Sequence, residues 1–145
     1  MIPLGNLVSE DALTHHIREH QSQKVRPMRT ILIVEDEYFI ADDCASLARR
    51  AGFHVAGPFT SIEEAREHAF TASGALIDIN VSGMATYKLI DDLLEMGVPI
   101  TLYTGYDRGA LPEKYAHIPM VTKPQDCGQA IKILRTQMGL ASGEN

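Results

Sequence analysis

Three carboxylates in a row, Glu35, Asp36 and Glu37, close the apolar run of "ILIVEDEYFI". Acidic groups that close together repel one another, so a positive charge is expected among them. Three more polar residues end apolar runs further along: Asp78 in "ALIDI", Thr104 in "PITLYT" and Lys123 after "PMVT". Oxygen-only donors suit a hard cation, and magnesium typically takes a few carboxylates, keeps several waters and adds a phosphate oxygen. Lys123 is no metal ligand while protonated, yet it can pair with a phosphoryl oxygen or neutralise an idle carboxylate. A nucleophilic carboxylate, a magnesium ion and a fixed cation aimed at one point are the parts that phosphoryl transfer requires, because catalysis there is mostly positioning and charge neutralisation.

Those residues are far apart in the chain, so the elements between them must gather them. "TILIV" (30–34) is a continuous apolar run, the pattern of a strand buried on both faces. Ile40, Cys44, Leu47, Ala48 and Ala51 then fall on one helical stripe that Gly52 ends. "FHVAGPF" (53–59) reads as a second strand, and Ser61 with Glu64 forms a capping box for a helix from about Ile62 to Ala72. "ALIDI" (75–79) is a third strand, followed by a helix from about Thr86 that buries Leu89, Ile90, Leu93 and Leu94 and stops at Gly97. "PITLYT" (99–104) is a fourth strand. Pro112 limits 107–117 to a short or irregular helix. "PMVT" (119–122) is a fifth strand, and Asp126 caps a last helix that turns Ile131, Leu134 and Met138 inward. Five successive βα units predict an α/β fold, a doubly wound parallel sheet with helices on both faces. In such a sheet ligands bind outside the carboxyl ends of the strands, the edge that Glu35, Asp36, Asp78, Thr104 and Lys123 share.

"ILIVEDE", "ALIDINVSG", "YTGY" and "VTKP" resemble, in order and spacing, the signature positions of response-regulator receiver domains (CheY-like), over about residues 29 to 139. The resemblance implies a flavodoxin-like strand order of 2-1-3-4-5. It makes Glu35 and Asp36 the acidic pair that holds Mg2+, Asp78 the phosphoacceptor, and Asn80 the residue whose backbone carbonyl joins the metal shell. It makes Thr104 the hydroxyl that contacts the phosphoryl group and Lys123 its cationic partner, with a cis peptide between Lys123 and Pro124. "PITLYTGYD" is similar to the motif of the FAT GUY subfamily, whose members are single-domain regulators paired with HWE or related sensor histidine kinases. Ile100 and Leu102 stand where Phe is usual, and Tyr103 where Ala is. Met120 takes the place of the aromatic that moves inward on activation in many receivers, a switching role that Tyr106 or Tyr103 is expected to assume. Ser82 and Thr86 replace the proline and glycine that commonly follow the acceptor.

The resemblance divides the chain into an N-terminal extension, 1–28, partly helical from a cap at Ser9, and a receiver domain, 29–145. His15, His16 and His20 read as a polar helix face, because no third metal ligand stands at an obvious spacing. Glu37 reads as a solvated first-turn residue that favours the helix dipole. Cys44 and Cys127 have no C-x-x-C spacing and read as free, buried thiols of a reducing cytoplasm. Nineteen acidic against thirteen basic residues give a net charge of −6, which argues against a nucleic-acid or anionic-membrane surface. A haloacid-dehalogenase-type phosphatase needs an acid two residues after its nucleophile, where Asn80 stands, and a nucleotide-binding loop needs glycines where "EDEYF" stands. The remaining rival is a pseudo-receiver that binds partners without phosphorylation. The expected function is therefore that of a single-domain response regulator of a bacterial phosphorelay, cytoplasmic, with no enzymatic activity beyond its own phosphorylation and dephosphorylation. It would signal through a downstream protein target, pass its phosphoryl group to a phosphotransferase, or act as a phosphate sink.

Overall fold

The computed structural model describes residues 28–140. Strands β1 (Thr30–Val34), β2 (His54–Phe59), β3 (Gly74–Ile77), β6 (Ile100–Thr104) and β7 (Met120–Thr122) form one parallel sheet in the order β2-β1-β3-β6-β7. Counting only these five, the order is the expected 2-1-3-4-5. Helices α1 (Tyr38–Arg50) and α4 (Cys127–Gln137) cover one face of the sheet, burying Cys44, Ala45, Ala48, Ile131 and Leu134 against Ile31, Ile33 and Leu76. Helices α2 (Ile62–His68) and α3 (Tyr87–Glu95) cover the other, packing Ala65, Leu89, Ile90 and Leu93 onto Leu32, Val34, Ile77 and Leu102. The central strands β1, β3 and β6 are buried almost throughout, as continuous apolar runs require.

Local signals account for most boundaries. The Ser61 hydroxyl accepts the Glu64 amide at 3.4 Å and the Asp126 carboxylate accepts the Gly128 amide at 3.0 Å, so both caps form where the sequence sets them. The helix after Ser61 is shorter than its periodicity suggests: α2 ends at His68 and tightens into a 3-10 turn over Ala69–Thr71. In α1 the buried line is Ala41, Cys44, Ala45 and Ala48, while Ile40, Leu47 and Ala51 lie only partly buried at its side. Small residues let α1 approach the sheet closely, and the larger ones flank the contact.

Two features depart from expectation, and a third fulfils it. The loop after β3 is a small antiparallel hairpin, β4 (Asn80–Val81) with β5 (Met84–Ala85), turned by Ser82 (φ 53°) and Gly83 (φ 78°). Two adjacent positive φ angles fit a tight hairpin turn whose twist suits the strands. Between β6 and β7, where Pro112 implied only short or irregular helix, the chain makes two isolated 3-10 turns, Arg108–Ala110 and Glu113–Tyr115. The Arg108 guanidinium donates to the carbonyls of Ala116 at 2.8 Å and Ile118 at 2.7 Å, and Tyr115 stacks on Tyr87 and donates to Asp91 at 2.7 Å.

The second departure corrects the reading of two free thiols. Cys44, in the middle of α1, and Cys127, the first residue of α4, are joined as a disulfide with Cα atoms 5.8 Å apart. That separation lies within the range a disulfide spans. Their 83-residue sequence separation concealed the pairing, which arises because α1 and α4 lie side by side on one sheet face.

The X-Pro bond Lys123-Pro124 is cis as expected, and Gly57-Pro58 is cis as well. No helix among the described residues is long and apolar enough to cross a membrane. The helix expected from Ser9 and the three N-terminal histidines fall outside the described residues.

Candidate functional site

The carboxyl edge of the sheet gathers the acids from two strand ends. Glu35 continues β1 directly, and its amide donates to the Phe59 carbonyl at 3.0 Å. Asp78 follows β3, anchored by its amide to the Val34 carbonyl at 3.1 Å. Carboxylate oxygens of Glu35, Asp36 and Asp78 all lie within 4.8 Å of one another. Glu35 and Asp78 are buried, at 3% and 8% exposure, whereas Asp36 is open to solvent. Two enclosed acids beside one accessible acid form a pocket with a mouth, which suits an ion that arrives from water and keeps part of its hydration.

Lys123 supplies the compensating charge. Its Nζ donates to Asp78 Oδ2 at 2.9 Å and stands 2.6 Å from Glu35 Oε1, an ion pair lying off the ideal hydrogen-bond line. Glu37 Oε1 is 3.9 Å from the same ammonium, and the Glu37 amide donates to Glu35 Oε2 at 3.2 Å. Glu37 therefore takes the N-cap position of α1 with its side chain toward Lys123, not a place in the first turn. Burial works against the ammonium, but the Glu35 and Asp78 carboxylates outweigh it and push Lys123 up to about 12.

Glu35 is held above its ordinary value of 4.5, first by burial and then by the Asp78 charge, against the pull of Lys123 and the Glu37 amide. A carboxyl raised on folding adds stability that is full below the unfolded value and is lost as pH rises through the folded one. In the metal-free protein, Glu35→Gln should therefore gain stability relative to the parent as pH rises above 4.5. Urea unfolding at a series of pH values checks this; a difference that does not vary with pH would contradict it.

Thr104 ends β6 fully buried, and its carbonyl accepts the Lys123 amide at 2.8 Å, tying the two strand ends together. Its hydroxyl accepts the Tyr106 amide at 3.3 Å and makes no hydrogen bond to the carboxylates among the described residues. Tyr106 is 39% exposed, and its hydroxyl accepts from Asn80 Nδ2 at 3.4 Å across the mouth. Tyr103 is buried instead, its hydroxyl donating to the Gln125 carbonyl at 2.5 Å and its ring 5.6 Å from Lys123 Nζ.

Two positions noted only as departures in sequence turn out to build the site. Thr86, fully buried, donates its hydroxyl to the carbonyls of Asp78 at 2.8 Å and Ile79 at 3.1 Å, which fixes the backbone behind the central acid. The Ser82 amide donates to Asp36 Oδ2 at 2.8 Å, and the Ser82 hydroxyl donates to the Thr60 carbonyl at 2.7 Å. The Ser-Gly pair in "NVSGM" is the signal that marks this turn.

The arrangement offers an enclosed carboxylate for nucleophilic attack, oxygen ligands for a divalent cation, and a fixed ammonium. No protein-family model matches the chain, and no curated protein matches it. Among solved structures it is similar to a response regulator receiver protein from Sinorhizobium medicae WSM419, at 21% identity and TM-score 0.65 over 78% of this chain and 96% of that one. SdrG from Sphingomonas melonis Fr1 is 18% identical with TM-score 0.67, over 80% of this chain and 100% of that one. The receiver domain of the Erythrobacter litoralis PhyR response regulator is 24% identical with TM-score 0.67, over 81% and 95%. At these identities the likeness is one of backbone architecture.

Proposed function

We propose that this chain, which has the receiver fold, works as the receiver of a two-component response regulator and accepts a phosphoryl group on Asp78 from the phosphohistidine of a sensor histidine kinase. The observation that carries the reading is Asp78 itself: a nearly buried carboxylate at the ligand-binding edge, held by Lys123 Nζ at 2.9 Å and within reach of two further acids. An Asp78 carboxylate oxygen attacks phosphorus as the phosphorus–nitrogen bond breaks, and the imidazole leaves with its electron pair. Lys123 balances the charge of the transferred group. Glu35, Asp36, Asp78 and the Asn80 backbone carbonyl would hold magnesium, and the all-oxygen donor set fits that ion. When bound, magnesium supplies neutralisation of the phosphoryl oxygens.

The buried Thr104 hydroxyl lies at the adjacent strand end, where a turn toward the phosphoryl group would release the Tyr106 amide and draw the segment after β6 inward. Tyr106 is the switching aromatic of this reading, because it alone of the two tyrosines reaches the mouth. The same reading assigns a kinase of the HWE type, a cytoplasmic setting, output through a downstream protein or phosphotransferase, and no activity on other substrates.

Intact-mass spectrometry after incubation with acetyl phosphate and magnesium tests the proposal. A single phosphoryl adduct is expected, absent from Asp78→Asn and from a magnesium-free control. No adduct on the parent chain, together with NMR spectra unmoved by beryllofluoride, would sink it in favour of the pseudo-receiver.

A further inference from the structure

The segment from Lys123 to Cys127 is held at both ends. Lys123 is fixed by Glu35 and Asp78, and Cys127 by its bond to Cys44 on α1. Tyr103 links the two ends: its ring is 5.6 Å from Lys123 Nζ, its hydroxyl holds the Gln125 carbonyl, and it belongs to the same buried cluster as both cysteines. Cys44 and Tyr103 also line the interior space that Glu35 and Asp78 line. The phosphorylation site and the disulfide thus share a wall. A disulfide in a cytoplasmic protein is more often a transient or redox-sensing bond than a permanent staple.

We infer that the Cys44–Cys127 bond, acting through Tyr103 and residues 123–127, is a redox-set positioning device for Lys123. Oxidised, it anchors the segment so that the ammonium stays on Asp78; reduced, it leaves Cys127 and the start of α4 free to move, and Lys123 with them. The oxidant is a low-molecular-weight disulfide such as oxidised glutathione. One cysteine thiolate attacks it, forming a mixed disulfide and releasing one thiol. The second cysteine, having lost its proton, attacks the mixed disulfide and releases the other thiol. Two protein thiols are oxidised and one small disulfide is reduced to two thiols. An open cleft of about 440 Å3 bounded by Phe39, Asp43, Leu47, Arg50, Tyr103 and Cys127 lies beside the bond, on the side of Cys127, the cysteine placed to attack first.

The effect on phosphorylation rests on Asp78 being the phosphoacceptor, so the test also reads the hold on Lys123 without phosphorylation. The full chain is oxidised with oxidised glutathione or reduced with dithiothreitol, and alkylation with iodoacetamide followed by intact mass counts free thiols. None is expected in the first state and two in the second. Amide hydrogen exchange is then followed at Lys123 and Gln125, with Ile33 in the central strand reporting global opening. Reduction should speed exchange at Lys123 and Gln125 by about tenfold relative to Ile33. The Cys44→Ser/Cys127→Ser chain should match the reduced protein under both conditions. Tyr103→Phe, which keeps the ring but loses the bond to Gln125, should fall between the two states.

Adduct formation with acetyl phosphate should be several-fold slower in the reduced protein. Two alkylated cysteines under oxidation would overturn the inference, as would exchange at Lys123 that changes only in step with Ile33. Equal adduct rates in both redox states would overturn the coupling while leaving Asp78 as acceptor. No adduct in either state, with the exchange difference present, would strike the phosphoacceptor reading alone and uphold the device.

Discussion

Lys123→Met is expected to slow phosphorylation of Asp78 by about 100-fold while tightening magnesium binding by about tenfold. The two effects have opposite signs because one ammonium serves two tasks. In the metal-free site it neutralises Glu35 at 2.6 Å and Asp78 at 2.9 Å, and so competes with an incoming cation for the same carboxylates. In the proposed transfer it would stand beside the attacking Asp78 oxygen, which it holds at 2.9 Å, and the arriving group. Methionine keeps most of the apolar stem and removes the charge, which makes the site more negative by one unit and more attractive to a divalent ion. The metal-free variant should also lose about 3 kcal/mol of stability, because two buried acids remain without their partner. Magnesium should restore part of that loss, since it binds the folded state alone. Magnesium titration followed by tyrosine fluorescence, with phosphorylation followed by intact mass, separates the two tasks. Magnesium affinity that stayed level or fell would show that Lys123 does not compete for the pocket.

Gly57→Ala should cost about 3 kcal/mol or more, combining the strain of a left-handed alanine with an overpacked contact. Gly57 has φ +97°, and a Cβ there would lie 2.6 Å from the Phe59 amide nitrogen and 2.8 Å from the Ile33 carbonyl oxygen. Both atoms are backbone, so no flexible side chain can yield. The position lies where the pairing of β1 and β2 shifts register between Leu32 and Val34. The Phe59 carbonyl two residues on accepts the Glu35 amide, so the damage should reach the acidic pocket as well as the fold. A chemical-denaturation midpoint close to the parent's would show that the β1–β2 edge relaxes around the methyl group.

The parts of the structure legible in the sequence are those with short-range causes. Apolar runs marked the five main strands, the Ser61 and Asp126 caps marked two helix starts, and Pro112 marked the segment held to short, irregular helix. Glu35, Asp36, Asp78, Thr104 and Lys123 reached one edge because each ends or follows a strand of a parallel sheet, a consequence of topology that needs no detail of packing. The hairpin of two-residue strands escaped, since two residues carry no period. The disulfide escaped because only the packing of α1 on α4 brings Cys44 to Cys127. The work of Thr86 and Ser82 escaped for a related reason: each acts through a hydroxyl or a backbone amide on a carbonyl or carboxylate that the sequence does not point to. Tyr103 and Tyr106, three residues apart and equally aromatic, separate only in three dimensions, one buried against the 123–125 segment and the other at the mouth.

Ser82 sits in the loop after β3, binds Asp36 from the loop after β1 through its amide, and binds Thr60 from the loop after β2 through its hydroxyl. Surface connections in most folds lengthen and shorten independently, which is how related proteins drift apart. Here one turn residue makes three connections answer to one another. An added or deleted residue in any of them would pull on the other two, so the length variation open to this chain is expected to gather in the connections at the opposite end of the sheet.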